Sequence, residues 1–178
     1  GSNRNISRIV QSYPGVAFSP IGYRNDLIVR GGSPSENRFY LDGVEIPNIN
    51  HFSTQGASGG PVGILNADLI REVNFYTVAF PTDRGNTLSS VLDFKLRDGD
   101  MEHNSLKATL GASEVSLASN GHIGKKTSYL VSVRQSYLQF LFDMLDLPFL
   151  PTFTDAKFKL KTRFNEQNEL TVLGLGGI

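Results

Sequence analysis

The chain contains no cysteine among its 178 residues, which removes a disulfide framework and any thiolate metal site. An excess of either charge is also lacking. Lys and Arg number 17, Asp and Glu number 17, and the formal net charge is zero, so the basic footprint that draws nucleic acid is missing and no nucleic-acid partner is expected. Long apolar runs are missing too: none approaches the roughly 18 residues of a transmembrane helix, and the first residues show no leader-peptide pattern. Gly1-Ser2 reads as a scar of expression cloning, so the missing leader says little about the compartment. His51, His103 and His122 are scattered, without acidic or histidine partners at metal-ligand spacing, which points to surface histidines rather than a zinc site. No metal and no other cofactor is expected.

What the chain does have is turns. Eighteen Gly and eight Pro argue for many short strands and against long helices or disorder, and the length suits one domain or one domain plus part of another. The organising stretch is residues 27–51. Apolar Leu27-Ile28-Val29 ends in Arg30-Gly31-Gly32, and Phe39-Tyr40-Leu41 ends in Asp42-Gly43, the punctuation of short strands joined by a polar loop and a tight turn. Residues 32–37 have nothing apolar to bury and should stand free at one end of a small packed unit. Upstream, Ile6, Ile9, Val10 and Tyr13 form the stripe of a short amphipathic helix closed by Pro14-Gly15. Residues 16–26 and 48–60 read as further polar loops, the latter too rich in Asn, Ser, Thr and Gly to join a core. Asn66 caps a helical turn that leads into a strand over residues 72–78, and residues 91–96 alternate apolar with polar.

From Ser105 onward the character changes to longer alternating strands: Leu106/Ala108/Leu110, Val115/Leu117, Tyr129/Val131/Val133, Phe158/Leu160/Thr162/Phe164 and Thr171/Leu173/Leu175. Between the apolar positions of the fourth stand Lys157, Lys159, Lys161 and Arg163. One face is greasy, the other cationic. A soluble antiparallel sheet with one wet face has this pattern, and so does a membrane barrel wall with apolar residues toward lipid.

Four stretches carry reactive residue types. Gly56-Ala57-Ser58-Gly59-Gly60 matches a nucleophile elbow, but a polar loop precedes it and Pro61 follows, so a flexible Gly/Ser loop is the better reading. Asp42 and Glu45 could pair as acid and base, yet Asp-Gly at a tight turn already explains Asp42. Gly124-Lys125-Lys126-Thr127 lacks the upstream spacing of a phosphate loop, and Asp98-Gly99-Asp100 lacks the rest of a calcium loop. An enzyme is not expected.

The order strand-Arg30-Gly31, polar loop, Tyr40-Leu41-Asp42-Gly43-Val44, then Ile70-Arg71-Glu72-Val73 and Phe80-Pro81-Thr82-Asp83-Arg84-Gly85-Asn86, is similar to the plug domain of TonB-dependent outer-membrane receptors. The resemblance covers about residues 6–99. It implies an α+β plug with a small mixed sheet and short helices over residues 3–100, followed by antiparallel strands of a truncated membrane β-barrel over residues 101–178, because five strands cannot close a barrel that needs about eight. It also implies a place in the outer membrane of a Gram-negative-type bacterium and energised uptake of a nutrient, whether iron chelate, corrinoid or oligosaccharide. The implied partners are TonB, through a segment upstream of the plug, the remaining barrel, and the nutrient. By position, the ligand-facing loops would present Tyr23, Arg24, Ser33, Glu36, Asn48, Asn50, His51 and Phe52, while Arg30 would latch the plug to wall carboxylates. Where many members carry basic Gly-Pro after Glu72-Val73, this chain does not, and Arg84 stands as the substitute latch. A soluble extracellular carbohydrate-binding β module is the alternative, and a hydrolase on Ser58 the third reading. The strands after Ser105 discriminate, since a soluble module would cover their apolar faces with a second sheet.

Overall fold

The computed structural model describes residues 5–18, 24–53, 57, 59–60, 62–111, 114–137 and 152–178. The chain divides into two compact units, residues 1–97 and 98–178.

In the front unit, helix α1 (Ile6–Val10) is followed by a small hairpin of β1 (Val16–Phe18) and β2 (Leu27–Val29), registered Val16 to Val29. Strands β3 (Asn37–Leu41), β4 (Val44–Ile46), β7 (Ile70–Tyr76) and β8 (Ser90–Leu96) make a mixed four-stranded sheet in the order β4-β3-β8-β7. The β3–β8 pair is parallel, so the chain must cross over between them. Within that crossover β5 (Asn50–His51) pairs with β6 (Val62–Gly63). The core is Leu27, Val29, Phe39, Leu41, Leu92 and Phe94 from the strands, with Ile6, Val10, Ile49 and Leu65 closing over them.

Register fixes what shares an end of this sheet. Asn37 pairs with Ser90, Ile46 with Phe39 and Tyr76 with Val91. Residues 30–36, 47–52 and 77–89 therefore all leave from one end, and the Asp42-Gly43 turn lies at the other.

Several expectations are corrected. Residues 16–26 are not all loop, since they contain β1. Residues 48–60 do contribute to the interior: Ile49, Asn50, His51, Gly59 and Gly60 are buried. A polar segment can be buried when its backbone groups are paired, and here the Asn48 side chain accepts from the N–H of Ile49 and Asn50 while Ile64 N–H donates to Ile49 O at 2.7 Å. The glycines are a packing requirement rather than flexibility. A Cβ on Gly59 would overlap the Asn25–Asp26 backbone, and one on Gly60 the His51 carbonyl. The helix stripe is only half used: α1 stops at Val10, leaving Ile9 41% and Tyr13 39% exposed, and Tyr13 stacks on Phe75 instead, with ring centroids 5.8 Å apart. The alternation over residues 91–96 gives no wet face either, because β8 is central and buried at every position but Lys95.

The back unit is one antiparallel meander of β9 (Ser105–Leu110), β10 (Glu114–Ile123), β11 (Thr127–Ser136), β12 (Thr154–Arg163) and β13 (Glu169–Gly177), each paired with the next. Leu117 pairs with Val133, Val131 with Phe158 and Leu160 with Val172, so these side chains share one face. Ser116, Arg134 and Asp155 line up on the other, as do Ser132 and Lys157. In β13 the apolar-face positions are Leu170 and Val172. Thr171, Leu173 and Leu175, read from sequence as its apolar set, pair with Lys161, Lys159 and Lys157. That strand is apolar on both sides, so pattern alone could not choose its face. Gly174 makes room for the Phe158 ring, which would overlap any Cβ there. The turn over residues 112–113 and the long connection over residues 139–154 fall wholly or mainly outside the described residues.

Candidate functional site

Most of the expected ligand-facing residues have structural partners. Ser33 caps a short 3-10 turn, Pro34–Glu36, and Glu36 accepts from the Ser33 N–H at 3.1 Å, a closed capping box. Arg24 pairs with Asp26 at 2.8 Å. Asn48 holds the turn into β5. Asn50 and His51 are buried, and the Asn50 side-chain oxygen accepts from Ser7 Oγ at 2.9 Å. Phe52 differs: it is 40% exposed and has φ 58, a left-handed backbone that a bulky residue adopts only at a cost. Tyr23 and Ser58 lie outside the described residues. Ser33, Glu36 and Asn48 thus lie on connections that leave one end of the four-stranded sheet, with Phe52 just past β5 on the second of them.

The two latch candidates have different surroundings. Arg30 is exposed, with φ 51 and its N–H donated to Gly15 O at 2.9 Å. Arg84 is held within the front unit. Its guanidinium lies 4.4 Å from the Tyr40 ring centroid and pairs with Asp83 at 2.7 Å and with Asp93 of β8 at 3.3 Å. A cleft of about 650 Å³ opens beside it, lined by Arg38, Tyr40, Glu45, Asp83 and Asn86 among others. Burial, then the Glu45 carboxylate, hold the Tyr40 hydroxyl above its ordinary pKa, so it remains a neutral donor. The Tyr40 partnership is not legible in the sequence, because Tyr40 lies far from Arg84 along the chain and only the parallel β3–β8 pairing sets it beside Asp93.

The back unit reverses the usual sidedness of a sheet. Leu106, Leu110, Leu117, Val131, Val133 and Phe158 are exposed, while Arg134, Asp155, Lys157 and Lys159 are buried. Buried charge needs paired charge. Arg134 reaches Asp155 at 2.6 Å, Lys157 also pairs with Asp155, and Lys159 and Lys161 both reach Asp98, at 2.8 and 2.9 Å. The alternating lysines were legible as a face; their carboxylate partners were not. Among the described residues, no cluster of three or more His, Asp or Glu is placed to hold a metal ion.

An apolar exposed face and a charged buried face are the pattern of a membrane-barrel wall, and the mixed sheet with its loops at one end precedes it in the chain. Residues 1–87 match the model of the TonB-dependent Receptor Plug Domain, so the front unit is a plug domain of that family. Two solved structures share the fold of both units. The pyoverdine outer membrane receptor FpvA of Pseudomonas aeruginosa PAO1, bound to pyoverdine, aligns over 98% of this chain and 25% of its own length, with TM-score 0.65 and 15% identity. A mutant of the ferric enterobactin receptor PfeA from Pseudomonas aeruginosa aligns over 99% of this chain and 30% of its own, also with TM-score 0.65 and 15% identity. The chain thus spans less than a third of the length of these receptors. No curated protein matches it.

Proposed function

We propose that this chain is the gate and the opening wall strands of an outer-membrane receptor that takes up a nutrient with energy delivered by TonB. The observation that carries the reading is the uncovered apolar face of β9–β13. Burying a side chain such as Leu or Val is worth about 1.5–3 kcal/mol, so a sheet that leaves this face open while burying lysines is built for a lipid surround, not for water. That weighs against the soluble carbohydrate-binding module, which would cover the face with a second sheet. No bond is made or broken in such a receptor. TonB, engaging a segment upstream of the plug, pulls on the front unit, and the least stable part of it yields first.

In this reading Arg24, Ser33, Glu36, Asn48 and Phe52, with Tyr23, form the plug's share of the nutrient site. Asn50 and His51 support the loop from beneath. Arg84 organises the plug's own sheet, and Arg30, being exposed, is the residue free to meet wall carboxylates from strands beyond this chain. The cargo is an iron chelate, a corrinoid or an oligosaccharide. Uptake of labelled members of each class by cells making the receptor that contains this chain, with and without TonB, tests the reading. TonB-dependent accumulation of one class supports it, and accumulation independent of TonB refutes it. Phe52→Ala is expected to weaken binding of that cargo by roughly tenfold, about the worth of one aromatic contact.

A further inference from the structure

The two units are joined at the bond between Arg97 and Asp98. In sequence the next strand is β9, at the edge of the wall sheet, but Asp98 is not held there. Its carboxylate takes Lys159 Nζ at 2.8 Å and Lys161 Nζ at 2.9 Å, two lysines of β12 on the same face. Three strand pairings separate β12 from β9, so the chain must travel back across the end of the sheet to begin the wall. The crossing is built at each step. Gly99 lies so close to the backbone carbonyls of Tyr129 and Gly121 that a Cβ would overlap both. Asp100 folds the next turn, accepting from the N–H of Glu102 at 2.7 Å and of His103 at 3.2 Å. Asn104 then accepts from the His122 N–H at 2.8 Å, with its side chain against Gly121, where a Cβ would again overlap.

We infer that residues 98–104 are a fixed strap that moves the tether of the front unit from the first wall strand to the fourth, with Asp98 as its lock and a positioning residue. A loose linker would let a pull on the front unit act on β9, the strand that follows it in sequence. The strap instead delivers that pull to β12 through Asp98. This role in force transfer rests on the plug reading, whereas the strap itself does not, and the experiment below reads the strap alone.

Amide hydrogen exchange by mass spectrometry on the full chain in detergent micelles tests it. Residues 98–104 should be protected in the wild type. Asp98→Asn should speed their exchange by about tenfold and leave residues 127–136 unchanged, as local opening does. The Lys159→Met, Lys161→Met double variant should do the same from the other side of the pairs. Gly99→Ala reaches the strap by sterics with every charge in place, and local loosening there supports the inference even if Asp98→Asn disturbs the whole sheet. Free exchange of residues 98–104 in the wild type overturns the inference. So does unchanged exchange in both Asp98→Asn and Gly99→Ala.

Discussion

In the front unit the fully buried side chains include Leu27, Leu41, Leu92 and Phe94; in the back unit Asp155 and Lys157 are almost as deeply buried, while Leu110 is 80% exposed. Both units are β-rich. They differ in the kind of side chain they hide, and so in the solvent each requires. The front unit is stabilised by apolar burial in water. The back unit leaves its apolar face for a lipid surround and holds its hidden face together with ion pairs, each of which must be complete because a lone buried charge is far costlier than a missing methyl group.

Substitutions that attack each unit by its own logic should separate them most. Phe94→Ala, at the centre of β8, should cost the front unit about 3–5 kcal/mol, read as an early unfolding transition in a urea titration, with the back unit's transition unmoved. Asp155→Asn leaves Arg134 and Lys157 without their shared carboxylate and should cost the back unit about 3–5 kcal/mol; a loss under 1 kcal/mol in detergent or lipid would mean the wall does not depend on its ion pairs. Next in size is Val131→Arg, on the exposed face in mid-strand. In a bilayer it should cost about 2–4 kcal/mol, whereas in a soluble sheet the same exposed position would tolerate it within about 0.5 kcal/mol. Lipid-vesicle refolding distinguishes the two.

The smallest effect is a pH dependence. Partial burial would raise the Asp98 carboxyl, but hydrogen bonds from Lys159 and Lys161 outweigh it and hold the group below its ordinary pKa. A depressed carboxylate contributes stability that is complete above its unfolded pKa, about 4, and is lost as pH falls through the lower folded value. The lock should therefore be indifferent to pH between about 5 and 8 and weaken only below about 4. Asp98→Asn should flatten that acid limb, measured as exchange of residues 98–104 against pH.

The longer strands, their order along the chain and the change in character near residue 100 were legible because each rests on local signals: apolar runs of period two, Asp-Gly and Arg-Gly-Gly turns, and the Asn66 cap. The family resemblance was legible for the same reason, as turn chemistry at fixed points in the order. Other features were hidden because they depend on contacts between distant residues. Asn50 and His51 look like loop-tip ligands until the β5–β6 pairing draws them inside, and Gly59 and Gly60 look flexible until the backbone beneath them is in place. Leu173 and Leu175 could have faced either way until pairing with β12 set them opposite lysines.

What the sequence determined by itself was the alphabet of the fold: short strands in front, long alternating ones behind, and polar loops between them, since backbone propensity and side-chain period act within a few residues. Tertiary structure decided which way the back sheet faces, that Arg84 lies over Tyr40, and that Asp98 is tied to β12 rather than to the strand it precedes. Those choices are made by register and by the need of each buried charge for a partner, and both bring together residues that lie far apart along the chain.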